Sequence, residues 1–112
     1  MSISSIQANK FYKEVIEKQK VYTVKDSGGF PAPKNSQGKR SQPFWSSRSR
    51  VEKIIKTVPA YKDFEIVEFS LDEFKNKLLK ELSHDQFLVG VNWSGTSAKG
   101  YDIEPDFILK CV

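Results

Sequence analysis

Two stretches of the sequence bring together residue types that can hold an anion. In PFWSSRSRVEKIIKT, residues 43–57, Phe44 and Trp45 are followed by Ser46, Ser47, Arg48 and Arg50 where an amphipathic helix begins. The free N–H groups of a first helical turn, the helix dipole and a guanidinium fork together suit a carboxylate or phosphate. Arg48 and Arg50 stand two apart, so on a helix they point in different directions and only one can aim at a given ligand. In VNWSGTSAKGYD, residues 91–102, a second Trp-Ser step, Trp93-Ser94, is followed by Lys99. The candidate ligand-binding set is therefore Trp45, Ser46, Ser47, Arg48, Arg50, Trp93, Ser94 and Lys99. The alternative is structural: both tryptophans belong to the core, since large aromatics are buried on average, and Arg48 pairs with a downstream acid.

Other chemistry is scarce. His84, the single histidine, follows a helix end in LSHDQ, where a polar or exposed role is expected. One histidine and one cysteine cannot build a structural zinc site. Asp102, Glu104 and Asp106 alternate in YDIEPDF, but a hard-cation loop needs more oxygen ligands and a glycine turn, so they read as acids at a helix start. GTSAKG, residues 95–100, lacks the GK[ST] ending that cradles phosphates. Cys111 has no visible partner base and reads as a small hydrophobe. No catalytic residue, metal or cofactor is assigned.

The elements that must position the two blocks follow from periodicity. Ala8, Phe11, Tyr12, Val15 and Ile16 predict a helix over 4–18, capped by Ser4 or Ser5. KVYTVK, residues 20–25, alternates as a strand does. Residues 26–42 carry glycines and prolines in turn combinations and read as one long irregular loop, a hairpin tip between strands at 20–25 and 42–46. A helix over 47–58 has Val51, Ile54, Ile55 and Val58 on one stripe, with Ser46, Ser47 or Ser49 as cap and Pro59 as its stop. FEIVEF, residues 64–69, is a strand. Ser70 and Glu73 then have capping-box spacing, flanked by Phe69 and Phe74 at staple positions, ahead of a helix to about 82. FLVGVNW, residues 87–93, is apolar on both faces except Asn92 and predicts a central strand. Residues 94–100 read as a turn-rich loop, and Pro105 opens a last helix docked by Phe107, Ile108 and Cys111. The sum is an α+β fold: a single domain over 1–112, with about four mainly antiparallel strands and three or four helices on one face of the sheet.

Composition sets the outer bounds. A chain of 112 residues, 38% hydrophobic and 29% charged, is long enough for one self-sufficient core. A lone cysteine suits a reducing compartment. MSISSIQANK has no apolar signal core and no apolar run is long enough to span a bilayer, so the expected location is cytoplasmic. The net charge of +4 is uneven. Residues 34–62 hold eight Lys and Arg against Glu52 alone, whereas residues 63–112 hold five Lys against ten acids. The basic third can present a positive face to anions, or it can be a solvated loop and helix.

FPAPKNSQGKRSQPFWSSRSRVEKIIKTVPAYKDFE, with LVGVNWSG and GYDIEP, resembles the bacterial proteins grouped as domain of unknown function 2750. The resemblance runs from Phe11 to about Pro105, and FWSSRSR and VGVNWSG are its most specific parts. It implies a small single-domain bacterial protein and no particular activity. Three binding readings result. The leading one is a non-enzymatic module for a protein partner. The alternative is an anion or nucleotide-type pocket between the two Trp-Ser blocks. Nucleic-acid binding through residues 34–62 ranks last of the three, because the acidic C-terminal part argues against a uniformly basic face. An enzyme built on Ser46, Arg48 and Asp102 is less favoured still, since no general base other than His84 is visible.

Overall fold

Strand β1 (Lys20–Lys25) runs antiparallel to β3 (Glu65–Ser70), in register from Lys20 opposite Ser70 to Lys25 opposite Glu65. A second sheet has the order β2-β4-β5, from β2 (Ser41–Phe44), β4 (Leu88–Ser94) and β5 (Lys99–Ile103). There β4 is parallel to β2 and antiparallel to β5. A computed structural model describes residues 3–95 and 98–112; the side chains of residues 3–5 and of residue 99 are not among the described groups.

The two sheets meet at one bridge. Tyr22 and Trp45 exchange both backbone bonds, at 2.8 and 2.7 Å. The next hydrogen-bonded pair of an antiparallel ladder would need an N–H from Pro43, which has none. The Thr23 hydroxyl instead donates to the Pro43 carbonyl at 2.8 Å. A proline in β2 thus reduces the expected 20–25/42–46 hairpin to a single bridge.

Helices cover both faces. α1 (Ile3–Lys18) begins ahead of Ser4 and Ser5, the expected caps. α2 (Arg48–Thr57) is capped by Ser47, whose Oγ accepts from the Arg50 N–H at 3.3 Å. It stops before Pro59, which opens a short 3-10 turn, Pro59–Tyr61. α3 runs over 71–84, with a π turn at Phe74–Leu78 between its two α-helical parts. Its capping box is complete: Ser70 Oγ accepts from the Glu73 N–H and Glu73 reaches back to the Ser70 N–H. α4 (Pro105–Cys111) follows β5.

One core holds Phe11 and Val15 of α1, Phe74, Leu79 and Leu82 of α3 and Ile108 of α4, against Val21, Phe44, Val89 and Val91 of the sheets. The other holds Val51 and Ile54 of α2, with Val58 and Tyr61, against Val24, Trp45 and Trp93. Adjacent strand residues point to opposite faces, so Phe44 and Trp45 enter different cores. The expectation of helices on one face is corrected by α2, which alone covers the second. Phe107 is corrected too. It is 55% exposed, whereas Pro105 and Ile108, three apart on the inner face of α4, are buried.

The molecule is a single α+β domain, with five strands among the described residues where about four were expected. The added strand, β5, takes the last two residues of the loop expected at 94–100 and continues to Ile103; of that loop, Ser94 ends β4 and residues 96 and 97 lie outside the described residues. The 26–42 stretch is folded on itself by local bonds. Asp26 Oδ1 accepts from the Gly28 N–H at 2.8 Å, Asn35 Oδ1 accepts from Gln37 and Lys39, and Arg40 Nη1 donates to the Ala32 carbonyl. Phe30, within the same stretch, packs its ring against Phe69. Among the described residues no helix is long and apolar enough to cross a membrane.

Candidate functional site

The two Trp-Ser blocks end parallel neighbours, β2 and β4, on the same side of the fold. Register alone would send Trp93 to the face of Val89 and Val91. A bulge between Val91 and Ser94, with Asn92 at a left-handed φ of 48°, turns it over to the face of Trp45. Asparagine tolerates that backbone better than most residues. The Trp45 indole N–H then donates to the Trp93 carbonyl at 2.9 Å, and the Trp93 indole N–H to the Tyr101 carbonyl at 3.3 Å. The Trp93 ring lies against Gly90 and Gly100. A Cβ at Gly90 would stand 2.5 Å from both Cζ2 and Nε1 of the indole, so only glycine leaves room for the ring.

Behind the tryptophans lies a closed polar network. Ser46, fully buried, donates its backbone N–H to Asn92 Oδ1 at 2.9 Å and its hydroxyl to Glu14 Oε1 at 2.6 Å. Asn92 Nδ2 donates to Ser46 Oγ at 2.9 Å and to the Gln7 carbonyl at 3.2 Å. Arg50 grips Glu14 with Nε and Nη2, both at 3.0 Å, and gives Nη1 to Gln7 Oε1 at 2.6 Å. The Arg50 hydrogen bond holds the Glu14 carboxyl below its usual range. Burial opposes it and the Ser46 hydroxyl assists it. Buried polar groups are stable when every member is satisfied, and here the end of β2, strand β4, α1 and α2 all supply members.

A cleft of about 270 Å³ opens beside this network. Trp45, Ile54 and Trp93 form its floor and are almost wholly buried, while Gln7, Arg50, Lys53 and Thr57 are its accessible lining, with Ser94 and Gly95 at the β4 end. None of its described lining residues carries a carboxylate. Arg50, Trp45, Trp93 and Ser94 of the expected set therefore come together. Ser46 sits beneath the cleft rather than in it. Ser47 belongs to an adjoining depression with Glu14, Lys18 and Ser49, which Arg50 and Lys53 also line. Arg48 stands apart, 60% exposed and 3.9 Å from Glu52 in an i,i+4 pair. Lys99 is on β5, and its side chain is not among the described groups.

Sequence reasoning missed Gln7, Glu14, Lys53 and the bonding role of Asn92. Lys53, three residues after Arg50, shares its helix face, so that spacing was a usable signal. Glu14 is 36 residues from Arg50 and carried none. A larger cavity, about 420 Å³, lies across Trp93, with Lys34 and Asp102 in its lining and the Asp102 carboxylate engaged by the Ser41 hydroxyl at 2.8 Å. Its mixed charge gives it no evident preference for an anion. Among the described residues no cluster of His, Cys, Asp and Glu could hold a metal ion.

The family model described as Protein of unknown function (DUF2750) matches residues 8–111, nearly the whole chain and both blocks that form the cleft. The chain belongs to this family. Among curated proteins no sequence matches this DUF2750 member. One similar solved structure is that of Anabaena Tic22 (protein transport), at 16% identity and a TM-score of 0.42. The similarity covers 72% of the DUF2750 chain and 44% of that structure, so the chain spans less than half of it.

Proposed function

We propose that this DUF2750 protein is a binding module that holds a small anion in the cleft between Trp45 and Trp93. The observation that carries the reading is Lys53. Lys53 is exposed and lines both the cleft and the adjoining depression, and its ammonium makes no hydrogen bond or ion pair with any described residue. Arg50 beside it is already neutralised by Glu14. A concave site that carries a few placed polar groups is where a small ligand is held.

The test is a thermal-shift screen against small carboxylates and phosphates, with Lys53→Met run alongside. A ligand at a hundred times its dissociation constant stabilises by about 2.7 kcal/mol. The expected outcome is a shift in the wild type that is lost in Lys53→Met, with the unliganded melting temperatures equal. No shift with any anion overturns the reading.

A second reading, a module for a protein partner, is supported by Phe107 and Leu109, exposed at 55% and 39% on α4. Capture of a defined partner by the wild type and not by Phe107→Asp is its expected signature. Equal capture by both discards this surface.

A further inference from the structure

We infer that the outer edge of β3 is a self-association surface. A second copy of this chain pairs its own β3 antiparallel to it, about a two-fold axis at Val67, and the two copies form one sheet in the order β1-β3-β3-β1.

The β1–β3 ribbon has one edge of β3 in use and one open. Tyr22 turns both its backbone groups toward Trp45, so its neighbours Val21 and Thr23 turn theirs toward β3, opposite Phe69 and Val67. Ile66 and Glu68 alternate with those residues and therefore direct their N–H and C=O groups away from β1. No described residue bonds to any of these four groups. The edge also lacks the usual protections against pairing. Over its six residues β3 carries no proline, no lysine and no bulge. Of its two carboxylates, Glu68 is already neutralised by Lys20 at 2.8 Å.

Hydrogen-bond supply selects a second copy and a single register for it. On one side of the open groups the Phe64 N–H is bound to the Tyr61 carbonyl at 3.1 Å. On the other the Ser70 N–H is held by the Glu73 carboxylate at 3.5 Å. An axis at Val67 sets Ile66 opposite Glu68 of the second copy, and every open donor and acceptor of both strands is then paired. An axis at Ile66 would leave the Glu68 carbonyl facing the committed Phe64 N–H. An axis at Glu68 would leave the Ile66 carbonyl facing the committed Ser70 N–H, and would set Glu68 against its own copy, a destabilising like-charge pair. Side chains agree with the Val67 axis. Val67 meets Val67 of the second copy, Glu65 lies opposite Phe69, and no carboxylate opposes another. Phe30, 44% exposed, packs on Phe69 on that same face, so apolar surface flanks the axis. Pairing consumes this edge in both copies, so the assembly closes at two.

The experiment combines sedimentation equilibrium with a disulfide trap. Two six-residue strands bury less than the ~1,200 Å² of a stable complex, so the dissociation constant is expected between about 10 μM and 1 mM. Directly opposed residues of a non-hydrogen-bonded antiparallel pair have Cα atoms about 4.5 Å apart, within disulfide reach. Val67→Cys, in a Cys111→Ser background that removes the single native cysteine, should therefore oxidise to a covalent dimer. Glu65→Cys in the same background is the control, because the two copies of residue 65 stand four residues out of register, roughly 13 Å apart. Val67→Cys is expected to cross-link at least tenfold faster than Glu65→Cys. Val67→Lys and Val67→Glu should each be monomeric, while their equimolar mixture associates, which also shows that both variants fold. A wild type that stays monomeric at 1 mM overturns the inference and leaves the edge to solvent or to a foreign strand. Self-association that survives Val67→Lys, or equal cross-linking of the two cysteine variants, overturns β3 as the surface.

Discussion

Arg50 and Arg48, two residues apart in one motif, have different physical fates. Arg50 is about a quarter exposed and closes two hydrogen bonds on Glu14, whereas Arg48, 60% exposed, stands 3.9 Å from Glu52 across open solvent. Removing one partner of a substantially buried pair strands the other, while exposed pairs contribute little. Arg50→Met is therefore expected to cost about 2 kcal/mol in urea denaturation, and Arg48→Ala less than about 0.5 kcal/mol. Equal effects of the two would remove Arg50 from the centre of the network. Glu14 adds a pH signature. Its carboxyl lies below the usual 4.5 in the folded protein, mainly through the Arg50 hydrogen bond. A depressed folded value means that the stabilisation is complete above the unfolded value and disappears as pH falls through the folded one. The stability difference between wild type and Glu14→Gln should be flat near neutrality and shrink below pH 4.5. A difference that persists unchanged in acid would mean that Glu14 acts through packing alone.

At the scale of elements, what was legible was local. The alternation of KVYTVK marks β1 to the residue, and Ser70 with Glu73 marks the start of α3. Both signals arise from neighbours in sequence. β5 was hidden because KGYDI is short, begins beside a glycine-rich turn, and becomes a strand only by pairing with β4. The face taken by Trp93, and with it that part of the second core, depends on the Asn92 backbone turning the chain over; a strict period of two predicts the wrong face for it. For the site, the two blocks were found, but Glu14 and Gln7 enter from α1 by tertiary approach alone. The Trp93 turn has a direct test in Gly90. An added methyl there meets a buried indole rather than the end of a flexible chain. Gly90→Ala should cost about 1–3 kcal/mol by overpacking, although alanine ordinarily stabilises a strand relative to glycine by limiting the unfolded chain. A neutral or stabilising Gly90→Ala would show that the ring is free to move away.

At the scale of the molecule, two cores share sheets joined by a single bridge at Tyr22 and Trp45. Such a joint raises the question of whether the halves unfold together. The chain argues for one transition. β2 with its following residue, and β4, each contribute to both cores, with Phe44 beside Trp45 and Val91 two residues from Trp93. The Glu14–Arg50 pair also ties α1 to α2 across the sheet. Loss of either core therefore exposes strand residues of the other. The protein carries the means to check this, because both tryptophans lie in the second core, while much of the helix, in α1, α3 and α4, packs on the first. Tryptophan fluorescence and far-ultraviolet circular dichroism thus follow different halves. In urea the two curves should coincide in midpoint and slope, as they do for a cooperative domain of this length. A fluorescence midpoint below the dichroism midpoint would mean that α2 and its core open first, and the cleft with them. Ligand binding would then be coupled to local order in that half rather than to a site already formed.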